Sequence, residues 1–243
     1  GKWNKSSPGS RSVKGFSLPM ILCNVSLEIE SLIDADFLKA TIDECIHEVM
    51  EVFYRPEIGL IVENLGTDNQ LVDCFDGRLI NPGHAIEAMW FIMDLGDRLN
   101  DNNLINKAVS IALSEVEYGW DKEFGGIFYF MDRLGHPVQQ LEWDQKLWWV
   151  HIETLITMLK GYHFTGNEKC LEWFEKVHNY TWSHFVDDEY PEWYGYLNRR
   201  GEVLLPLKGG KWKGCFHVPR GLYQCWKTLE DINNKLNNNT LNQ

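Results

Sequence analysis

No run of about 18 apolar residues occurs in this sequence, so no segment reads as a membrane-spanning helix. Positive charge is scarce. Lysine and arginine number 23 against 35 aspartates and glutamates, a net charge of −12. Such a surface repels a phosphate backbone, which excludes nucleic acid as a partner. The short metal signatures HxH, HExxH and CxxC are missing, so no metal site is expected. There is no GxSxG, hence no serine nucleophile elbow. Gly209-Gly210-Lys211 lacks the spacing of a phosphate-binding loop. Cysteine is thin and dispersed, at positions 23, 45, 74, 170, 215 and 225. That is not the density of a disulfide scaffold and reads as free thiols of a cytoplasmic protein. Gly1 to Gly15 is polar and basic with no apolar segment behind it, which excludes a standard secretory signal. The Asn-X-Ser/Thr triplets at Asn24, Asn179 and Asn238 then read as chance matches.

What is abundant is aromatic residues, 13% of the chain with 11 tryptophans, suited to core packing or to stacking on sugar rings. They fall in a repeat. Gly59-Leu60-Ile61-Val62-Glu63, Gly126-Ile127-Phe128-Tyr129-Phe130 and Gly195-Tyr196-Leu197 are apolar runs bounded by turn residues and read as short hairpins. An apolar helix follows each hairpin, with helical spacing in Ile86, Met89, Trp90, Met93 and in Leu147, Val150, Leu155, Met158, Leu159. More polar helices follow over 101–118 and 167–186. His84, His151 and His217 open the apolar helices at steps of 67 and 66 residues. One step back from His84 lies Ser17-Leu18-Pro19-Met20, a fourth helix start with proline in its first turn.

Such a unit, repeated, predicts an all-α fold: an (α/α) toroid with apolar helices inside, polar helices outside and short β-hairpins between units. About three and a half helical hairpins are legible, whereas a six-hairpin ring of this repeat takes roughly 400 residues. The ring is therefore expected to be incomplete. Residues 16–232 form it, residues 1–15 are a flexible leader, and 233–243 a polar tail.

Parallel inner helices would bring their first turns to one mouth. His84 lies in Asn81-Pro82-Gly83-His84-Ala85-Ile86-Glu87, and Glu87 three residues on shares its helix face. His217 lies in Gly214-Cys215-Phe216-His217-Val218-Pro219-Arg220, where Arg220 can bind a sugar oxygen or an enolate. His151 and Glu153, two residues apart, cannot both face inward. Trp148 and Trp149 offer plates for a sugar or packing between hairpins. Each of these residues also has a purely structural reading as a satisfied core group. Two imidazoles at one mouth suit proton removal and return on opposite faces of a carbon next to a carbonyl, because their pKa lies near neutral pH. Two rival readings are a glycoside hydrolase using Glu87 and Glu153, and a non-catalytic protein-binding module.

The motifs 81–88, Gln140-Leu141-Glu142-Trp143, Lys146-Leu147-Trp148-Trp149, Glu192-Trp193-Tyr194-Gly195-Tyr196-Leu197 and 213–220 resemble the N-acylglucosamine 2-epimerase family, in order, from Ser17 to Leu229. The resemblance implies an (α/α)6 barrel that interconverts N-acetylglucosamine and N-acetylmannosamine. It puts His84 and His217 in the catalytic roles and Glu153 in the pocket, with Glu87 and Arg220 supporting the two histidines; together with the residues' own reading, the expected sugar-binding set is Glu87, Trp148, His151, Glu153 and Arg220. It implies no cofactor for the chemistry, ATP as an effector, and, as in animal members, a homodimer and a renin-like partner. The family's amino-terminal hairpins, with a pocket arginine, have no counterpart in the sequence.

Overall fold

The computed structural model describes residues 13–241, with side chains up to residue 237. Within this range the helices are α1 (Ser17–Glu28), α2 (Ala35–His47), the single turn α3 (Phe75–Arg78), α4 (Pro82–Leu99), α5 (Asn102–Gly119), α6 (Trp148–Thr165), α7 (Glu168–His184) and α8 (His217–Leu241). Helices α1, α4, α6 and α8 form an inner row, each packed on the next, and α2, α5 and α7 each back the inner helix before them. The polar helices expected near 101–118 and 167–186 are α5 and α7, and the segment at Ser17 is α1. The row is a curved part of a toroid, not a closed ring.

Burial explains the layering. From Trp148 to Gly161 every residue of α6 is buried, and α4 is buried along most of its length. Each large apolar side chain so buried is worth about 1.5–3 kcal/mol. Helices α5 and α7 bury one face only. The two ends of the hairpins differ. Helix α4 ends on Asn100 (φ 56°) and α6 on Gly166 (φ 67°), both left-handed. The next residues, Asp101 and Asn167, then accept backbone N–H groups of α5 and α7. Those returns therefore take two residues. The outward-to-inward returns run over 54–81, 120–147 and 185–216, and all meet at the end where the inner helices begin.

The strands lie in these long connections: β1 (Val13–Gly15), β2 (Tyr54–Arg55), β3 (Leu60–Ile61), β4 (Asn64–Gly66), β5 (Leu79–Ile80), β6 (Met131–Asp132), β7 (Lys146–Leu147), β8 (Tyr196–Leu197) and β9 (Val203–Leu205). Only β2–β3 and β8–β9 are local hairpins. Strand β5 pairs with β6 and β7 with β8, so the connections join neighbouring units, contrary to the one-hairpin-per-unit expectation. The run at 126–130 makes only a bridge from Ile127 to Trp120.

Two boundaries also change. Val13–Gly15 of the expected flexible leader pairs with Asn64–Gly66, while residues 1–12 lie outside the described range. The expected tail continues α8 as far as Leu241. Asn24 is buried in α1, Asn179 is exposed on α7, and the Asn238 side chain lies outside the described residues. Helix α8 has no outer partner among the described residues. Leu222, Tyr223, Trp226 and Leu229 on it stay 40%, 55%, 56% and 46% exposed.

Glu115 of α5 holds the β3 connection in place. Its Oε1 accepts the Ile61 N–H at 2.6 Å, while Oε2 is buried without a partner. Burial raises its carboxyl from the ordinary 4.5 to about 8, against the pull of the Ile61 bond. The folded protein thus holds this proton more tightly than the unfolded chain. The group's contribution to stability is intact below about pH 4.5 and declines as pH climbs to about 8. Glu115→Gln keeps the acceptor and removes the titration. Thermal unfolding should therefore show the variant gaining on the parent between pH 5 and pH 8.5; parallel melting curves at both pH values would refute the assignment.

Candidate active site

The site is built where α4, α6 and α8 begin. Asn81 caps α4 by accepting the His84 N–H at 3.2 Å, and Pro82 fixes the first turn. The cap sets His84 at the mouth, half-buried. Its Nδ1 lies 3.1 Å from both carboxylate oxygens of Glu63, which follows β3. A carboxylate only accepts, so Nδ1 donates and Nε2 is left with its lone pair. Burial pulls the His84 pKa down, but the charge and hydrogen bond of Glu63, with the charge of Glu87, outweigh it; the net shift is upward.

His217, the first residue of α8, repeats the arrangement. Its Nδ1 lies 2.7 Å from Glu153 Oε1. Glu153 is fully buried on α6, where Trp90 Nε1 of α4 donates to its Oε2 at 2.9 Å. Arg220 Nη2 reaches Glu153 Oε1 at 2.5 Å and faces Glu87 Oε1 at 3.4 Å. The Arg220 guanidinium lies over the Phe216 ring at 4.0 Å and the Trp90 ring at 5.1 Å. Its Nε and Nη1 are buried with no hydrogen-bond partner among the described residues. Burial, and then the charge of Glu153, push Glu87 up to about 8, against His84 and Arg220, so it holds a proton near neutral pH. Glu87, Glu153 and His217 place donor atoms within 4.8 Å of one another, close enough for a cation. The guanidinium already bridges the two carboxyl groups as their counter-charge.

Between the imidazoles lies Trp149. Its ring centroid is 5.3 Å from that of His84 and 5.8 Å from that of His217. Gly83 permits this placement, since a Cβ there would come within 2.6 Å of the Trp149 ring. Trp148 turns the other way. It is 2% exposed, packs edge-on to Tyr196 at 5.2 Å, and its Nε1 is buried without a partner. Trp149 lies between the two imidazoles, whereas the Trp148 ring, 6.3 Å from that of His217, is almost wholly enclosed.

His151 is a correction. It is fully buried with Nδ1 donating to Leu147 O at 2.7 Å and Nε2 accepting the Ile127 N–H at 3.1 Å. Burial lowers its pKa to about 3. Stacked on Tyr180, it faces the outer helix and anchors the connection, while Glu153 takes the inward face. Glu87 does not orient His84, as its spacing suggests; it faces Arg220, and Glu63 binds the imidazole. Glu63 was the residue that sequence reasoning missed. Its equivalent one repeat on is the apolar Phe130, and a carboxylate at that register was the available signal.

An open (α/α) toroid whose inner helices bring two carboxylate-backed imidazoles to one mouth defines the fold class. The family model for N-acylglucosamine 2-epimerase (GlcNAc 2-epimerase) matches residues 2–219. The N-acylglucosamine 2-epimerase of Bos taurus is 40% identical over 94% of this chain and 55% of its own length; that of Homo sapiens is 37% identical over 91% and 52%. Among solved structures, a D-mannose isomerase superposes with a TM-score of 0.77 at 18% identity, covering 93% of this chain and 59% of its own. The cellobiose 2-epimerase of Spirochaeta thermophila gives 0.73 at 18%, covering 94% and 56%. The chain belongs to the N-acylglucosamine 2-epimerase family of sugar isomerases, and it spans about half the length of the curated relatives it matches.

Replacing Gly83 by alanine should push the Trp149 ring out of the gap. Overpacking of this kind costs about 1–3 kcal/mol. In proton NMR spectra the ring-current shifts of the His84 and His217 Cε1–H signals should change together. Unchanged shifts with unchanged stability would mean that Trp149 is not held by this contact.

Proposed function

We propose that this site belongs to a sugar 2-epimerase acting on N-acylated amino sugars, interconverting N-acetylglucosamine and N-acetylmannosamine. The observation that carries the reading is the pair of imidazoles flanking Trp149, each with Nδ1 on a carboxylate. In the open-chain sugar the C2 proton lies next to the C1 carbonyl. One imidazole takes it through Nε2, leaving an enolate with its charge on the C1 oxygen. The unpaired Nε and Nη1 of Arg220 supply hydrogen bonds to the oxygen on which charge develops. The other imidazole, arriving protonated, returns a proton to the opposite face of C2. Trp149 supports the sugar between the two bases.

The relatives named D-mannose isomerase and cellobiose 2-epimerase make other hexoses the alternative substrates. A glycoside hydrolase would need two carboxyl groups about 5–9.5 Å apart, one free to act on water. Glu87 and Glu153 both face the Arg220 guanidinium, so neither is free to activate water.

Incubation of N-acetylmannosamine with the protein in D2O, followed by proton NMR, should yield N-acetylglucosamine deuterated at C2. ATP, the effector that the resemblance implies, forms a second arm. His84→Ala and His217→Ala should each abolish formation of the epimer. Exchange with mannose or cellobiose alone would replace the substrate, and exchange surviving both substitutions would end the two-imidazole reading.

A pH profile tests the Glu63 contact separately. His84 must be neutral to accept a proton, and its pKa is raised, so activity should be lost as pH falls through a midpoint above 6.5. Glu63→Gln removes the charge that raises it. The acid limb of kcat/KM should then move to lower pH; an unmoved limb would show that Glu63 does not set it.

A further inference from the structure

Behind the mouth, one indole reaches an imidazole through a carboxylate. Trp90 lies on α4 one turn beyond Glu87 and is 1% exposed. Its Nε1 donates to Glu153 Oε2 at 2.9 Å, and that oxygen has no other donor among the described residues. The second oxygen, Oε1, takes both His217 Nδ1 at 2.7 Å and Arg220 Nη2 at 2.5 Å. Two cations hold the indole in place. The Arg220 guanidinium lies 5.1 Å from its ring centroid, and the Lys160 ammonium of α6 lies 4.9 Å from it. Lys160 is itself anchored, donating at 2.7 Å to both carboxylate oxygens of Asp94 on α4. Phe91 packs edge-on to the indole at 4.3 Å. A carboxylate that accepts a hydrogen bond is a weaker base than one that does not. His217 therefore sits on an anion whose basicity depends on the Trp90 N–H. The other imidazole has no such link. His84 Nδ1 lies on Glu63, whose carboxylate has no donor besides His84 among the described residues. The charged and titratable groups facing His217 are Glu153 from α6, Glu87 from α4 and Arg220 from its own helix. The Cys225 thiol of α8, near Glu153, stays uncharged because burial pushes it to about 12.

We propose that Trp90 is a positioning residue for the epimerisation: through Glu153, its indole N–H sets how tightly His217 holds the proton exchanged with C2, and it leaves His84 to Glu63. The assignment rests on the two-imidazole reading of the site. It makes the two bases unequal in their support. One leans on an enclosed carboxylate shared among three donors, the other on a carboxylate of its own at the mouth.

Trp90→Phe removes the N–H and keeps an aromatic ring in the core. Glu153 then becomes the stronger base, and the imidazole–carboxylate pair holds its proton more tightly. In NMR titrations of histidine-labelled protein the His217 midpoint should rise by about one pH unit, the size of one lost hydrogen bond to a charged group. The His84 midpoint should move far less. The kcat/KM for N-acetylmannosamine should fall about ten-fold. An unmoved His217 midpoint, or equal shifts of both imidazoles, would overturn the proposal. The parent protein supplies a check that needs no substitution. Its Trp90 Nε1–H resonance, assigned through contacts with Phe91, should shift with pH at the His217 midpoint; a resonance that ignores that titration would also overturn the proposal. Neither titration depends on turnover. If the sugar is not epimerised while both signals follow His217, the link from Trp90 to His217 stands and the epimerase reading falls.

Discussion

One buried carboxylate organises the mouth. Glu153 is fully enclosed on α6, and taking its charge out of water costs several kcal/mol unless donors replace the lost hydration. The donors come from both neighbours: Trp90 on α4, and His217 and Arg220 on α8. Satisfying that one charge therefore fixes the relative placement of three inner helices and the orientation of one imidazole. Burial and the Glu153 charge push Glu87 toward its protonated form. Arg220 is left with two unpaired donors because its other contacts are already spent on Glu153 and Glu87.

The architecture was legible in the sequence because burial imposes a period. Helices α4 and α6 are buried nearly all round, and their apolar runs recur at a step that the histidines at 84, 151 and 217 also keep. Register told which residues begin a helix, and it placed His84, His217, Glu153 and Arg220 at one end correctly. Register could not tell which way each side chain turns. His151 shares the step of the other two but stands two residues from Glu153, and only one of them can face the axis. Trp148 and Trp149 differ by a rotation that Gly83 and Gly195 decide through close contact, and no propensity carries that.

The strands were harder to read for another reason. The Gly-aromatic runs look like self-contained hairpins, but two-residue strands gain little from pairing with themselves and are fixed by what lies beside them. Strand β5 meets β6 from the next unit, and β7 meets β8. These pairings bring the connections over the mouth together, and Glu63 reaches His84 from one of them. A residue that acts from an irregular connection has no helical spacing to tie it to the imidazole it binds. The buried Glu115 and His151 accept the backbone N–H groups of Ile61 and Ile127 and hold those connections down.

The two-residue returns at Asn100 and Gly166 divide labour between the ends of the molecule. At that end the path from inner to outer helix has no slack, so an insertion there would disturb helix packing directly. At the other end the chain takes 28 to 32 residues to come back (54–81, 120–147 and 185–216), and the helices keep their places whatever those loops contain. Changes of substrate within such a scaffold can therefore accumulate in the long loops with little loss of stability. The short end works as a hinge plate, setting the spacing of the helices once for every pocket the loops can build.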